Sequence, residues 1–360
     1  MHPQITRPRC RPRTRWHDGA VPATSLRVPD LDLRTRLAAV CRPLTQEEGP
    51  LVGAEILDGG TFATTYRLTF GSGRRVVAKT APTDPRRLMR YEHGILGTEE
   101  LVYRLAADLP ELRMPRVLLS DVTREHLDTE VLVVSHLDGV PWDTLDALAP
   151  EQRDVIVREL GGVMAHLHRV TGPTFGYPAS PALQAASWPE AFTAMTESLL
   201  ADGATWSVPL PVERVRAAWA RHRAALAEIT TPRLVHTDLW PGNVFVDPEN
   251  LRITGIIDTE RSFWGDPLFE LAGADQLGAG PAPSALVEGY AAAGGRLAAT
   301  GSPIAGALTA VDARLLLYRS YMYLVMTVET APRGYTGDWV AERLTHLSVL
   351  LGAALDTLLA

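Results

Sequence analysis

The side chains best placed to do chemistry lie in one stretch of the chain, residues 236–270. Asp238 is followed by Asn243 five residues later, and Asp258 comes fifteen residues after Asn243. Mg²⁺ takes carboxylate and amide oxygens from proteins and completes its shell with water and substrate phosphates. We therefore expect Asn243 and Asp258 to hold Mg²⁺ beside a phosphate-bearing ligand. Asp238 would lie next to that metal and orient a hydroxyl group as a general base.

A predicted β-hairpin positions these three side chains. The segments GNVFV and LRITGIID are rich in β-branched residues and are typical of short strands, and DPEN between them is typical of a turn. Asn243 lies near the start of the first strand, and Asp258 ends the second. Pairing of the strands would bring the two side chains close together.

The order of these residues resembles the catalytic loop of protein-kinase-like phosphotransferases, H-R-D-L-x-x-x-N followed by a metal-binding Asp. The matching residues are His236, Asp238, Leu239 and Asn243. The later segment GDPLFELA, residues 265–272, narrows the resemblance to the aminoglycoside phosphotransferase superfamily, which includes antibiotic, choline and fructosamine kinases. Thr237 and Glu270 stand where that family usually has Gly and Asp, and neither change removes a metal ligand or the base. The resemblance also implies that His236 stabilises the loop through a backbone contact and that Asp266 braces it.

A three-stranded antiparallel meander is predicted upstream, from Leu51 to the segment VVAK. VVAK is similar to the V-A-I-K of kinases, and the resemblance implies that Lys79 pairs with the α- and β-phosphates of ATP. The first turn contains Gly59, Gly60 and Thr61, whose backbone N–H groups would lie over those phosphates. Lys79 is the only lysine among 35 basic residues, which indicates a site that needs a compact ammonium group rather than a planar guanidinium.

The resemblance implies a carboxylate partner for Lys79 on the following helix, which we predict over residues 87–108. Three glutamates compete for this role. In the family that this chain resembles, the glutamate lies about two turns before the helix ends, ahead of a strand marked by Pro. This placement favours Glu99, with Glu100 second and Glu92 as a surface acid.

The apolar strand EVLVVSHL, residues 130–137, would connect two lobes. The resemblance implies that backbone groups of Ser135 and Leu137 bind adenine, and that the lobes divide near Asp138. The second lobe is predicted to be mostly helical, with helices near 151–170, 188–201, 211–229, 266–277, 283–293, 308–330 and 337–358. Glu260, Asp275, Glu329 and Asp338 are candidate acids of an acceptor pocket.

The predicted fold is α+β, a two-lobe protein-kinase-like fold with a small antiparallel-sheet N-lobe and a mainly helical C-lobe. Residues 1–30 would be a basic tail, disordered or extended. Residues 31–137 would form the N-lobe, which binds nucleotide, and residues 138–360 the C-lobe, which carries the catalytic hairpin and the acceptor-binding helices.

Composition describes an ordinary globular protein, with 46% hydrophobic and 21% charged residues. Neither a membrane-spanning apolar run nor a secretory signal is evident, and the two early cysteines fit a reducing cytoplasm. Residues 1–134 carry 20 basic and 17 acidic side chains, whereas residues 135–360 carry 15 and 25. The acidic second half suits a cationic acceptor or is a solvated surface. We expect no nucleic-acid or membrane partner, and a monomer or homodimer.

The function that these observations favour is transfer of the γ-phosphoryl group from ATP, with Mg²⁺, to a hydroxyl of a small molecule. A cationic antibiotic such as an aminoglycoside is one candidate acceptor, which would make the protein a resistance enzyme. A ketosamine, a sugar and a choline-like alcohol are the alternatives. A nucleotide-sensing pseudokinase is the other class of protein considered. An active enzyme is favoured over a pseudokinase because the chain retains Lys79, Asp238, Asn243 and Asp258.

Overall fold

The structure is a computed structural model that describes residues 27–57, 63–145, 148–297 and 308–360. The predicted phosphate-covering residues Gly59, Gly60 and Thr61 lie outside the described residues, as do residues 1–26 of the predicted tail. Arg27 is described, and its carbonyl accepts a hydrogen bond from the backbone N–H of Ile56 at 2.7 Å.

A five-stranded antiparallel sheet forms the first part of the fold, with the spatial order β1-β2-β3-β5-β4. Its strands β1 to β5 are Leu51–Leu57, Thr64–Phe70, Arg75–Thr80, Val117–Asp121 and Val131–Ser135. The first three strands are the predicted meander. Side chains alternate between the faces of a strand, so Val76 and Ala78 of β3 are buried on one face while Lys79 lies on the other.

Three helices accompany this sheet. They are α1 (Leu31–Val40), α2 (Thr45–Glu48) and α3 (Ile95–Ala106). Leu37 and Val40 of α1 pack into the same apolar cluster as Val76 and Ala78. The prediction of one helix over residues 87–108 was wrong in its first half, where the chain forms two short 3₁₀ turns. Gly94 then adopts a left-handed conformation with φ 74° immediately before α3, a geometry that glycine accepts at little cost.

The segment between β3 and α3, residues 81–94, is bonded to the second half of the chain, and we call this set of contacts the lobe bridge. It consists of the Arg87 Nε–H bond to the Pro332 carbonyl at 2.8 Å, the pairing of Arg90 with Asp202, and the Arg333–Glu92 ion pair at 2.9 Å. Glu92 and Arg333 are both buried, whereas Arg87 and Arg90 are exposed, so the Glu92–Arg333 pair is the part of the bridge that lies in the packed interior.

The second half of the chain is mainly helical, and its core is built from aromatic side chains such as Trp188, Phe192 and Tyr318. Helices α4 to α11 are Pro150–Leu167, Trp188–Thr205, Val212–Arg221, Arg223–Ala227, Glu270–Ala274, Ser284–Ala292, Ala310–Val328 and Asp338–Leu359. The predicted helix at 211–229 is divided at His222, and the one at 266–277 begins as a 3₁₀ turn. In the parts of the chain that are described, no helix has both the length and the apolar character that a membrane crossing requires.

Two small sheets frame the stretch that carries the chemistry, with the strand orders β11-β10-β6 and β8-β7-β12-β9. Strands β6 to β12 are Val140–Pro141, Phe175–Gly176, Gln184–Ala185, Arg233–Val235, Val244–Val246, Ile253–Ile256 and Phe263–Gly265. The predicted hairpin is β10 and β11, which pair with Val244 opposite Ile256. The loop between β9 and β10 carries Asp238 and Asn243, and Asp258 follows β11.

Candidate active site

Lys79 is surrounded by three carboxylates. Its Nζ lies 2.8 Å from Glu99 Oε2, 2.5 Å from Asp258 Oδ1 and 2.6 Å from Glu260 Oε2. The lysine side chain is 13% exposed. An ammonium group has three N–H donors on one nitrogen, which matches three acceptors around a single point.

The charges in this cluster perturb one another. Burial alone would lower the pKa of Lys79, but Asp258, Glu260 and Glu99 together hold it well above its ordinary value. Burial raises the pKa of Glu260 to about 7, with Asp258 and Glu99 adding to the effect and Lys79 opposing it. Lys79 therefore stays charged at neutral pH. Glu260 protonates more readily than Asp258, because burial would raise the pKa of Asp258 but Lys79 lowers it.

Helix α3 and Tyr103 place Glu99 in this cluster. Glu99 and Tyr103 lie one helical turn apart on the buried face of α3, where side chains four residues apart are neighbours. The Tyr103 hydroxyl donates to Glu99 Oε1 at 2.8 Å and accepts from the backbone N–H of Asp258 at 3.1 Å. Tyr103 thus joins the helix to the loop after β11. Tyr103 was not predicted from the sequence, although its spacing of four residues from Glu99 was an available signal.

The other two glutamates considered as partners of Lys79 are engaged elsewhere. Glu100 bonds to Arg104 and accepts from the Ser120 hydroxyl at 2.7 Å. Glu92 is buried, not a surface acid as expected, because it belongs to the lobe bridge.

Asp238 is buried and held at both its backbone and its side chain. Its backbone carbonyl accepts from Asn243 Nδ2 at 2.9 Å, and its Oδ1 accepts from Gln276 Nε2 at 2.6 Å. Burial raises the pKa of the Asp238 carboxyl, and the positive charge of Arg261 opposes that rise. Because the amide nitrogen of Asn243 is used in this way, its Oδ1 is the atom that can face a cation.

His236 ties the loop to the hairpin. Its Nδ1 accepts from the backbone N–H of Asp238 at 3.3 Å, so its Nε2 carries the hydrogen and donates to the Ile257 carbonyl at 2.9 Å. The backbone N–H of Ile257 in turn donates to the Asn243 carbonyl at 3.1 Å. Asn243 therefore lies opposite the residue next to Asp258.

Glu270 holds the backbone of the loop from behind. It is fully buried, accepts from the backbone N–H groups of His236 at 2.8 Å and Thr237 at 2.9 Å, and lies 3.4 Å from His168 Nε2. We expected Asp266 to brace the catalytic loop, but its contacts belong to the helical core. They are the Leu268 N–H at 3.0 Å, the Tyr318 hydroxyl at 2.7 Å and Arg314 Nε at 3.0 Å.

Thr237 adopts a left-handed backbone conformation with φ 69°, which glycine accepts more readily than threonine. Its hydroxyl donates to the Arg261 carbonyl at 3.1 Å, a bond that glycine could not make. Helix α8 packs closely on this backbone, because a Cβ added at Gly273 would lie 2.5 Å from the Thr237 carbonyl carbon. The substitution of threonine for glycine thus keeps the loop geometry and adds a tether.

Ser135 and Leu137 lie where the five-stranded sheet meets the hairpin. The N–H of Ser135 already donates to the Arg116 carbonyl at 2.9 Å, so only its carbonyl is a candidate to contact adenine. The Leu137 side chain packs over Gly255 of β11, where an added Cβ would come within 2.3 Å of Leu137 Cδ1.

Two of the four predicted acceptor-pocket acids are committed to ion pairs. Glu260 contacts Lys79, and Glu329 is bonded to three arginines, Arg261 at 3.0 Å and Arg333 and Arg343 at 2.9 Å each. Burial would raise the pKa of Glu329, but the three guanidinium groups lower it to about 2.

The other two acids are placed differently. Asp275 follows α8 and Asp338 begins α11, and both are exposed.

The carboxylates around Lys79 also have the chemistry of a cation site. One oxygen each from Glu99, Asp258 and Glu260 lies within 4.8 Å of the other two. All are hard donors of the kind that Mg²⁺ prefers. The residues present therefore fit a divalent cation.

Comparison with known proteins gives a consistent result. The model of a family described as phosphotransferase enzymes matches residues 53–305. A candidate fructosamine-3-kinase from Thermobifida fusca is similar over 90% of this chain and 99% of its own, with a TM-score of 0.60 and 18% identity. Aminoglycoside phosphotransferase APH(4)-Ia, as a ternary complex with AMP-PNP and hygromycin B, is similar over 88% and 98%, with a TM-score of 0.57 and 18% identity. A macrolide 2'-phosphotransferase of type I is similar over 89% and 98%, with a TM-score of 0.55 and 18% identity. These matches confirm the predicted two-lobe, protein-kinase-like α+β fold.

Proposed function

Because this chain belongs to the phosphotransferase enzyme family, we propose that it transfers the γ-phosphoryl group of ATP to a hydroxyl group of a small molecule. The observation that carries the proposal is the position of Lys79. It lies among Glu99, Asp258 and Glu260, and the loop bearing Asp238 is bonded to the residue before Asp258 through His236 Nε2 and the Ile257 carbonyl. Lys79, which would hold the phosphate donor, and Asp238, which would act as the base, thus belong to one connected site.

The N-lobe, ending near Asp138, would hold the nucleotide. Lys79 would pair with the α- and β-phosphates, with Glu99 holding the ammonium in place. The Ser135 carbonyl and the Leu137 N–H would bond to adenine. Backbone N–H groups at residues 59–61 would cover the phosphates.

Asn243 Oδ1 and the Asp258 carboxylate would hold Mg²⁺, and Glu260 offers a further oxygen close by. When bound, Mg²⁺ neutralises charge on the phosphates. The protein's part is to fix these oxygens, which it does through the Asn243 bond to Asp238 and the Asp258 bond to Tyr103.

The chemical step needs one base. The acceptor oxygen attacks the γ-phosphorus, the bond to the bridging oxygen breaks, and ADP leaves with the electron pair. Asp238 accepts the hydroxyl proton. The burial that raises the pKa of this carboxyl makes it a better proton acceptor than an exposed aspartate. Positioning and electrostatics supply the rest of the rate.

The charges next to Asp238 bear on the class of acceptor. A polycationic aminoglycoside needs carboxylates that are free to bind its amino groups. Glu260 and Glu329 are committed to Lys79 and to arginines. This arrangement favours an acceptor with few positive charges, such as a sugar or a ketosamine, over an aminoglycoside, which stays a candidate together with choline-like alcohols.

A phosphorylation screen tests the proposal. The purified chain, labelled ATP and Mg²⁺ are incubated with hygromycin B, a macrolide, fructosyl-lysine, glucose and choline, and phosphorylated products are counted. We expect one of these classes to be phosphorylated, with Asp238→Ala slower by about 10²–10⁴-fold. Normal transfer by folded Asp238→Ala would refute the assigned site. ATP binding without turnover on any acceptor would favour the nucleotide sensor.

A further inference from the structure

Gln276 makes a contact that none of the sequence motifs predicts. Its side-chain Nε2 donates to Asp238 Oδ1 at 2.6 Å, across a separation of 38 residues. Asp238 is 8% exposed, so water cannot readily replace this donor. A charge-assisted hydrogen bond of this length to a buried carboxylate is among the stronger hydrogen bonds in proteins.

This bond removes the last rotational freedom of Asp238. The backbone of Asp238 is already fixed, because its N–H donates to His236 Nδ1 and its carbonyl accepts from Asn243. Rotation about the bond that carries the carboxylate would still exchange Oδ1 and Oδ2. The hydrogen bond from Gln276 fixes the plane of the carboxylate and distinguishes its two oxygens.

The loop that carries Gln276 is itself anchored. Gln276 follows α8, whose first residue, Glu270, holds the backbone of the catalytic loop. Just beyond Gln276, the Tyr323 hydroxyl donates to the Gly278 carbonyl at 2.8 Å, and Arg319 donates to the Gly280 carbonyl. Arg319 and Tyr323 both belong to α10, and both are buried. Gln276 is therefore held to the rigid helical core on the far side of its loop.

We propose that Gln276 is a positioning residue of the phosphoryl transfer, which holds Asp238 Oδ1 so that Oδ2 faces the acceptor hydroxyl. The proposal rests on the proposed function, because it assigns Gln276 a role only if Asp238 is the base. The amide acts through Asp238 and not on the nucleotide. Its loss therefore reduces turnover and leaves the affinity for ATP unchanged.

The test uses Gln276→Met, which keeps the length of the side chain and removes the donor. Transfer from ATP to the best acceptor of the screen, and to water, is measured on the full chain. We expect kcat to fall about 10-fold with KM for ATP unchanged, the pattern of an interaction needed for the chemical step. The control is Gln46→Met, the same chemical change at an exposed position of α2, which should leave both constants at their wild-type values.

A double-mutant cycle separates this role from a purely structural one. If Gln276 acts through Asp238, adding Gln276→Met to Asp238→Ala produces no further loss of rate, because the two effects are not additive. Additive losses, a raised KM for ATP, or unchanged kcat in Gln276→Met would each overturn the proposal. Wild-type turnover in Asp238→Ala alone would instead refute the proposed function, whatever Gln276 does.

Discussion

Replacement of Lys79 by arginine keeps the positive charge and should still remove most of the activity. Lys79 Nζ has carboxylate oxygens at 2.5, 2.6 and 2.8 Å, arranged around a single nitrogen. A guanidinium group spreads its donors over a plane in a fixed fork and cannot direct three of them from one point. The larger group would displace either α3 or the turn that follows Asp258, and both belong to the proposed nucleotide site.

The expected size of the effect follows from that displacement. Catalytic geometry tolerates little error, and a shift of about 1 Å can cost about 10²-fold in rate. A loss of about 10² corresponds to about 2.7 kcal/mol of barrier. Because the charge is retained, we expect Lys79→Arg to lose less thermal stability than a variant that removes the charge.

The assay measures kcat and KM for ATP, together with calorimetric affinity for Mg²⁺ and a non-hydrolysable ATP analogue. Lys79→Met is the matched control, because it removes the charge and leaves two buried carboxylates and the half-buried Asp258 without a counter-ion. We expect this variant to be destabilised at neutral pH and to regain stability as the pH falls and those carboxylates protonate. Wild-type kcat and nucleotide affinity in Lys79→Arg would refute the reasoning, because they would show that three-point coordination by one nitrogen is not needed.

Three further predictions concern other residues of the site. Asn243→Ala and Asp258→Ala should both raise the Mg²⁺ concentration needed for half-maximal activity, Asp258→Ala more strongly because it removes a full charge, and unchanged Mg²⁺ titrations would exclude both as ligands. Since the pKa of Glu329 is lowered to about 2, its contribution to stability is present above its unfolded pKa near 4.5 and is lost as the pH falls toward 2. Denaturant unfolding should therefore show Glu329→Gln less stable at pH 7 by about 3–5 kcal/mol, with a weaker pH dependence between pH 5 and pH 3. Thr237→Gly relieves the left-handed strain but removes the bond to the Arg261 carbonyl, so its melting temperature should stay close to that of the wild type; a large loss would show that the bond outweighs the strain.

The parts of the site that the sequence predicts are those encoded by local spacing. Alternation along β3 places Lys79 on the face opposite the apolar cluster. The distance from the helix end and the next strand, which by resemblance to the family favoured Glu99 over Glu100, agrees with the ion pair in the structure. The hairpin of β10 and β11 follows from two β-branched segments around a turn. Each of these inferences needs only residues that are near one another in the chain.

The parts that the sequence does not predict depend on contacts between distant residues. Glu260 was expected in an acceptor pocket, but Asp258 adopts a left-handed conformation and begins a 3₁₀ turn that brings Glu260 to Lys79. Gln276 reaches Asp238 only because α8 packs against the catalytic loop, and no local pattern contains that information. The late start of α3 has a similar cause. Helical periodicity predicted a regular helix from residue 87, but the lobe bridge holds residues 87–92 outside the helix.

The lobe bridge also has a mechanical consequence. The N-lobe is joined to the C-lobe covalently through the segment after Ser135, and a second time through the contacts of Arg87, Arg90 and Glu92. A body attached at one point can rotate in any direction, whereas a body attached at two points can rotate only about the line that joins them. Rigid-body rotation of the sheet-bearing part against the helical part is therefore limited to that line as long as the bridge is intact. Any wider separation of the lobes must first break the buried pair between Glu92 and Arg333.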